Sequence, residues 1–522
     1  MRRPDFTSSS GVGAVSAAWR RLPSWLPLIV LLMMAASLRL STLSLQSLWY
    51  DEAYTPVHVL HAGLGATLHS WLADENTPPL WYVLVWAVSR IAGIGVLALR
   101  MPSALAGIAL VGVGWLIGAE LGTRRTALTL AAILAFNPLF VWYSQEARAY
   151  ELYTLFAAIS LLWFLRARRS HSGLALAGWS ASSILALLSH YFAFFLIAPE
   201  ALLLLAAVDW PRAGARFSRA QRPTLIAVAV VAAAGAGLVP LVIAQGGHGT
   251  QWIGQWALSN RVVQIAGYYL LGYNGSVLGH TLLGVSALPV IGAIVLAVMV
   301  LRRGRLEIPA RRAVAVTAGL GAVAILLPLA LALAGADYLA PRNLIADYVP
   351  LSAALAVVLS ASAARRAGML LTLVICAAGL SVVIATDLYP RLQRGDWGAL
   401  AHQLAAGSSN RAIVTVEDGA APLEYYLPGM RLRYLSSRSA VSVTEIDLVG
   451  YDPLRSRVGA APMPAFAAAG RVDEHGLLAF RFRAATPQRL SGRFLRGLTV
   501  TIGARARSEV LVPAAVPAVP SS

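Results

Sequence analysis

The chain has 522 residues, 58% of them apolar and only 13% charged, with a mean hydropathy of +0.66. That balance excludes a soluble globular enzyme and describes a polytopic membrane protein. The formal net charge of +18 comes from 42 basic residues, none of them lysine. They fall in short clusters between apolar stretches, as in cytoplasmic loops, so no nucleic-acid partner is expected. Cys376 is the only cysteine, which excludes an internal disulfide and Cys-based metal or redox chemistry.

Residues 1–21 are polar and basic, with Arg2, Arg3, Arg20 and Arg21, and predict a cytoplasmic tail. The stretch 22–40 suits a first span and is too long for the core of a cleavable signal. An outer loop, 43–99, follows. It opens with Leu48-Trp49-Tyr50-Asp51-Glu52 and reaches Asn76-Thr77-Pro78-Pro79-Leu80-Trp81-Tyr82. Between them lie His58, His61, His69 and Asp74-Glu75, without a single arginine. The stretch 79–97 is apolar enough to span but holds Arg90, Gly93 and Gly95. A crossing there would place Arg124-Arg125 and every later arginine cluster outside. It is therefore expected to be a surface or half-inserted helix.

Further spans are expected at 101–121 and 126–142, then one ending at Arg166-Ala167-Arg168-Arg169. The next are at 174–189, 192–208 and 225–243, with Arg212, Arg216, Arg219 and Arg222 in the cytoplasmic loop before the last. An outer loop carries Trp252, Trp256, Arg261, Tyr268, Tyr269 and Tyr273, read as an interfacial aromatic belt. Spans ending at Leu301, near Ala334 and at Arg365-Arg366 precede a last one at 369–385. The expected fold is thus an all-α membrane domain, 22–386, of about eleven spans. From Asp387 to residue 511 the text reads as a small extracytoplasmic α/β domain. Its signals are a helix starting at Asp396-Trp397, strands at 411–417 and 476–483, and a helix at 422–427. Residues 512–522, rich in Pro, Ala and Val, read as a disordered tail.

In this topology Asp51, Glu52, Arg100, Glu146, Arg148, His190, Tyr191 and Arg342 face one side of the membrane. Carboxylates and guanidinium groups on one face suit transfer of a sugar from an anionic leaving group. A loop carboxylate takes the proton of an attacking hydroxyl, and arginines stabilise the departing phosphate. Each residue also has a structural reading. Arg148 and Arg342 could be interfacial anchors, Glu146 could pair with Arg148, and His190 could be a satisfied buried histidine. His58, His61 and His69 lack a tight helical metal spacing.

Five motifs occur in order: Trp49-Tyr50-Asp51-Glu52-Ala53, Thr77 through Tyr82, Leu99-Arg100-Met101-Pro102-Ser103, Tyr143 through Tyr150, and Ser189-His190-Tyr191. A weaker one is Pro341-Arg342-Asn343-Leu344. Together they resemble the bacterial GT-C glycosyltransferases of family 39, similar to protein O-mannosyltransferases and to the aminoarabinose transferases that modify lipid A. The resemblance implies the GT-C fold, a polyprenyl-phosphate sugar donor and an inverting single displacement on the outer face of the plasma membrane. It makes Asp51 the base, with Glu52 beside it. Arg100, Arg148 and Arg342 become candidates for donor phosphate, and Glu146, His190 and Tyr191 for the rest of the substrate site. The acceptor would be a protein, a polysaccharide or a glycolipid. Many relatives carry Lys or His where Thr77 stands, and Arg-Tyr where Arg342-Asn343 stands. These departures leave the sugar, mannose or similar, and any divalent-metal cofactor open. A transporter or flippase of a polyprenyl-linked sugar would show repeated halves and charged mid-membrane helices, which this sequence lacks. A non-catalytic envelope-assembly subunit would need neither Asp51-Glu52 nor the arginine set.

Overall fold

The computed structural model describes residues 25–170, 172–208, 221–248, 250, 253–272, 279–416, 419–451, 461–498, 508–514 and 518–519. The expected tail at 1–21, and Arg212, Arg216, Arg219, Trp252 and Tyr273, lie outside these. The chain begins with α1 (Leu26–Leu40), α2 (Tyr50–Tyr54) running into a π-helical turn, α3 (Leu64–Asp74) and α4 (Leu80–Ala92). Then come α5 (Val96–Leu121), α6 (Arg124–Phe136), α7 (Pro138–Ser144), α8 (Tyr150–Ser170), α9 (Gly173–Ser189) and α10 (Phe194–Ala206). After α11 (Arg222–Gln245) and α12 (Leu258–Leu271) follow α13 (Gly279–Arg302) and α14 (Ile308–Leu333). A 3₁₀ segment, Pro341–Asp347, leads into α15 (Tyr348–Ser360), and α16 (Arg365–Leu388) ends the membrane domain.

An apolar helix stands at each of the eleven expected spans, making this a polytopic membrane protein. Among the described residues five helices are long and apolar enough to cross alone, and α6 with α7, bent by 58°, has the length and composition of a sixth. Helix α4 has 13 residues, a rise of about 20 Å, well short of the ~30 Å hydrocarbon core. It buries Trp81, Tyr82 and Val85, leaves Ile91 exposed, and stops at Gly93, whose φ of +77° suits a glycine. That length fits a surface or half-inserted helix.

The α6–α7 bend has a local cause. Pro138 has no N–H for the Leu134 carbonyl, and the Leu139 N–H turns to the Asn137 side chain instead of the Ala135 carbonyl. Arg39, fully buried at the end of α1, fills the gap. Its guanidinium donates to the carbonyls of Leu134 (3.2 Å) and Ala135 (3.1 Å) and to Ser144 Oγ (3.0 Å). The outer-loop aromatics depart from expectation too. Of these, Tyr268 and Tyr269 sit on α12, where Tyr269 packs its ring against Tyr348 and bonds Ser352, so it is core rather than belt.

The C-terminal domain adds α17 (Trp397–Ala405), β1 (Arg411–Val416), α18 (Ala420–Tyr426), β2 (Leu432–Tyr434), β3 (Ala440–Tyr451), β4 (Ala467–Glu474), β5 (Leu477–Ser491), α19 (Gly492–Gly497), β6 (Ser508–Pro513) and β7 (Ala518–Val519). The strands form one mixed sheet in the order β2-β6-β1-β3-β5-β4, with β7 on β3. Residues 512, 513, 518 and 519 are thus strand, so the expected tail is ordered there because it pairs with the sheet. Successive residues of β1 face opposite sides: Ile413 packs with α17 and α18, Ala412 and Val414 with Phe480, Phe482 and Leu495. Trp49 of the membrane domain joins the first of these faces, so the sheet rests on the outer loop through α17 and α18.

Candidate active site

Asp51 and Glu52 occupy the first turn of α2, where the helix dipole favours carboxylates. Neighbours on a helix point about 100° apart, so the two acids meet different partners. Glu52 is fully buried and takes a two-pronged bond from Arg100, Nε to Oε1 at 2.7 Å and Nη2 to Oε2 at 2.6 Å. The Ala147 N–H donates to Oε1 at 2.7 Å. Burial acts to raise this carboxyl's pKa, but Arg100 and Arg394 outweigh it and hold the group below the usual range. The remaining donors of Arg100 go to the carbonyls of Leu43, Gln46 and Ser47. All five of its N–H groups are engaged, which leaves none for a phosphate and sets Arg100 apart from the phosphate role the sequence suggested.

Asp51 turns to the rim, where its Oδ2 accepts from Arg342 Nη1 at 2.7 Å. Arg342 sits in the 3₁₀ segment before α15, its guanidinium 5.7 Å from the Tyr150 ring centre. The loop entering that segment is clamped by Arg261, which grips both Asp337 oxygens (2.8 and 2.5 Å) and the Leu339 carbonyl. Arg148 lies beneath, donating to the Asp51 carbonyl at 3.3 Å and to both Glu75 oxygens at 3.1 and 3.3 Å.

Glu146 is buried and pairs not with Arg148 but with Arg394 of the C-terminal linker, at 2.9 Å. Burial raises its pKa, against the pull of Arg394. His190 is buried against the Tyr153 ring and its Nδ1 accepts from the Phe192 N–H at 3.2 Å. Burial, with Arg342 and Arg148 nearby, lowers its pKa to about 3, so it is neutral at physiological pH. Tyr191 donates to Gln245 Oε1 at 2.6 Å.

Arg342, Tyr150, His190 and Tyr191 line the polar end of a cavity of about 730 Å³. Its long wall is apolar, built by α10 and α11 through residues such as Phe194, Leu202, Val231 and Val239. The structure therefore brings His190, Tyr191 and Arg342 to the cavity lining, with Asp51 bonded to Arg342 and Arg148 beneath Asp51, while Glu52, Arg100 and Glu146 are buried and paired among themselves and with Arg394. Sequence reasoning missed Glu75, Tyr150, Asp337 and Arg394, although the arginine-free loop around Glu75 was a signal for a buried cation partner. Among the described residues no three His, Cys, Asp or Glu side chains gather as a metal site.

The family model for dolichyl-phosphate-mannose-protein mannosyltransferases matches residues 76–235. No curated protein matches the chain in sequence. Among solved structures, ArnT from Cupriavidus metallidurans in the apo state aligns with TM-score 0.53 and 12% identity, over 90% of this chain and 98% of that one. The same protein bound to undecaprenyl phosphate aligns with TM-score 0.52 and 11% identity, over 87% and 97%. The fold is thus the GT-C fold of membrane glycosyltransferases. The chain is a glycosyltransferase with this fold, similar over residues 76–235 to the dolichyl-phosphate-mannose-protein mannosyltransferases.

Proposed function

We propose that this enzyme moves a sugar from a polyprenyl-phosphate donor to an acceptor on the extracytoplasmic face of the plasma membrane, with inversion. The observation that carries this is the apolar cavity ending at Arg342, whose guanidinium is 2.7 Å from the Asp51 carboxylate. A greasy groove with one cationic end fits a lipid chain bearing a phosphate. The solved ArnT complex with undecaprenyl phosphate, of similar fold, supports the same ligand class.

In this reading an acceptor hydroxyl oxygen bonds to the anomeric carbon as the bond from that carbon to the phosphate oxygen breaks. The electron pair leaves with polyprenyl phosphate, whose growing charge Arg342 stabilises, and the hydroxyl proton passes to Asp51. Tyr150, His190 and Tyr191 shape the donor end, while Arg100, Glu52 and Glu146 hold the frame. The sugar is mannose or a similar one, and the acceptor a protein, polysaccharide or glycolipid. The twenty arginines of the N-terminal tail and the inter-span clusters support an inside N-terminus and an outside C-terminal domain.

The test is to reconstitute the full chain and supply undecaprenyl-phosphate sugars with membrane-derived acceptors, following release of undecaprenyl phosphate. Acceptor-dependent release that Asp51→Asn abolishes is the expected result. No release from any donor sugar, with the protein folded and inserted, would overturn the reading.

A further inference from the structure

The linker between α16 and α17 contributes a side chain that a flexible tether would not need. Arg394 is buried with its guanidinium 2.9 Å from Glu146 Oε2, 3.3 Å from the Gln145 carbonyl and 4.0 Å from the Trp142 ring centre. A charge that far from water costs free energy unless its partner is held in place, so the pair ties linker and turn together. The 145–148 turn it grips also gives the Ala147 N–H to Glu52 and carries Arg148 beneath Asp51.

The same domain holds the segment entering α2 residue by residue. The Arg394 N–H donates to Gln46 Oε1 at 2.9 Å, and Ser47 Oγ to the Gly395 carbonyl at 3.2 Å. The Leu48 N–H donates to the Tyr426 hydroxyl at 2.7 Å, and Trp49 packs with Trp397 and Leu423. Four successive residues are therefore fixed from the domain side, while Arg100 fixes the same loop from the membrane side. Asp51 follows two residues later.

We propose that Arg394 is a positioning residue: through Glu146 and Gln46 the C-terminal domain sets the pose of the Asp51 helix from outside the membrane. The proposal rests on Asp51 being the reacting carboxylate. It gives the C-terminal domain a part in catalysis without contact with substrate.

The test uses the full chain in membranes as Arg394→Gln, Glu146→Gln and the double variant. Hydrogen exchange of the ligand-free protein is read together with turnover of undecaprenyl-phosphate sugars. Arg394→Gln should raise amide exchange in 46–54 by about tenfold, with the central strands β1 and β3 unchanged. It should lower kcat by at least about tenfold and leave the Kd for undecaprenyl phosphate within about twofold, because the chemistry loses its pose while the lipid site stays intact. The double variant places two neutral amides of matching shape together and should recover much of both losses. Arg394→Lys, which keeps the charge in a milder change, should show smaller effects in the same direction. Unchanged protection of 46–54, or a rate loss confined to donor affinity, would overturn the proposal. If Asp51→Asn turns over normally the reading of the reaction fails instead, and the exchange data still decide whether Arg394 holds the loop.

Discussion

The carboxylate of Asp51 and the guanidinium of Arg342 lie 2.7 Å apart, although 291 residues separate them in the chain. Both are only partly exposed, at 18% and 15%. The pair joins the first outer loop to the turn before α15 at the mouth of the apolar cavity. In the proposed reaction a donor phosphate arriving there would compete for Arg342 and free the Asp51 carboxylate for the acceptor's proton, so donor should bind before acceptor.

Asp51→Asn keeps shape and hydrogen bonding but cannot take up a proton. Transfer should fall by about 10²–10⁴-fold with normal insertion and abundance. Asp74→Asn, at an exposed position in the same outer loop, should leave the rate near wild type. Turnover of both variants in reconstituted membranes checks this.

Arg342→Ala should weaken binding of undecaprenyl phosphate by roughly 30-fold, the effect of losing one charge-assisted contact of about 2 kcal/mol. The control is Arg90→Ala, an exposed arginine at the end of α4. Arg39 does not serve that purpose. Its fully buried guanidinium closes the α6–α7 bend. Direct binding measurements on the two variants distinguish site from surface.

Arg100→Ala should act on stability before kinetics. It leaves the Glu52 carboxylate buried without its cation, a loss of about 3–5 kcal/mol in comparable buried pairs. The folded Glu52 pKa is lowered, so its stabilisation is present above the ordinary glutamate value of about 4.3. It is lost as pH falls through that value toward the lower folded one. Thermal unfolding in detergent, scanned from pH 6 to about pH 3, should show wild type losing this contribution and Arg100→Ala lacking it already at pH 6.

Since Cys376 is the only cysteine, topology can be read chemically. In a Cys376→Ser background, Ser437→Cys places one thiol at an exposed turn of the C-terminal domain. A membrane-impermeant maleimide should label it in intact spheroplasts. Labelling only after lysis would put the domain inside and move the proposed site with it.

What the sequence by itself determined is whatever depends on composition along a short stretch. Hydropathy and arginine clusters located the eleven helices, because partitioning into a bilayer is summed over some twenty consecutive residues. The length limit on α4 was legible through Arg90, Gly93 and Gly95. The apolar stretch 412–414 was legible as a buried strand, and its central place in the sheet came from the structure. Asp51 and Glu52 stood out as adjacent acids, but nothing local told them apart. Their division of labour was decided by which cation each meets, Arg100 at 48 residues' distance and Arg342 at 291. Likewise Glu146 faces Arg394 rather than its neighbour Arg148 because the linker after α16 folds back over the 145–148 turn. Charge pairing is long-range in sequence and short-range in space. Only the packing of helices and sheet could choose among arginines that, read along the chain, are chemically identical.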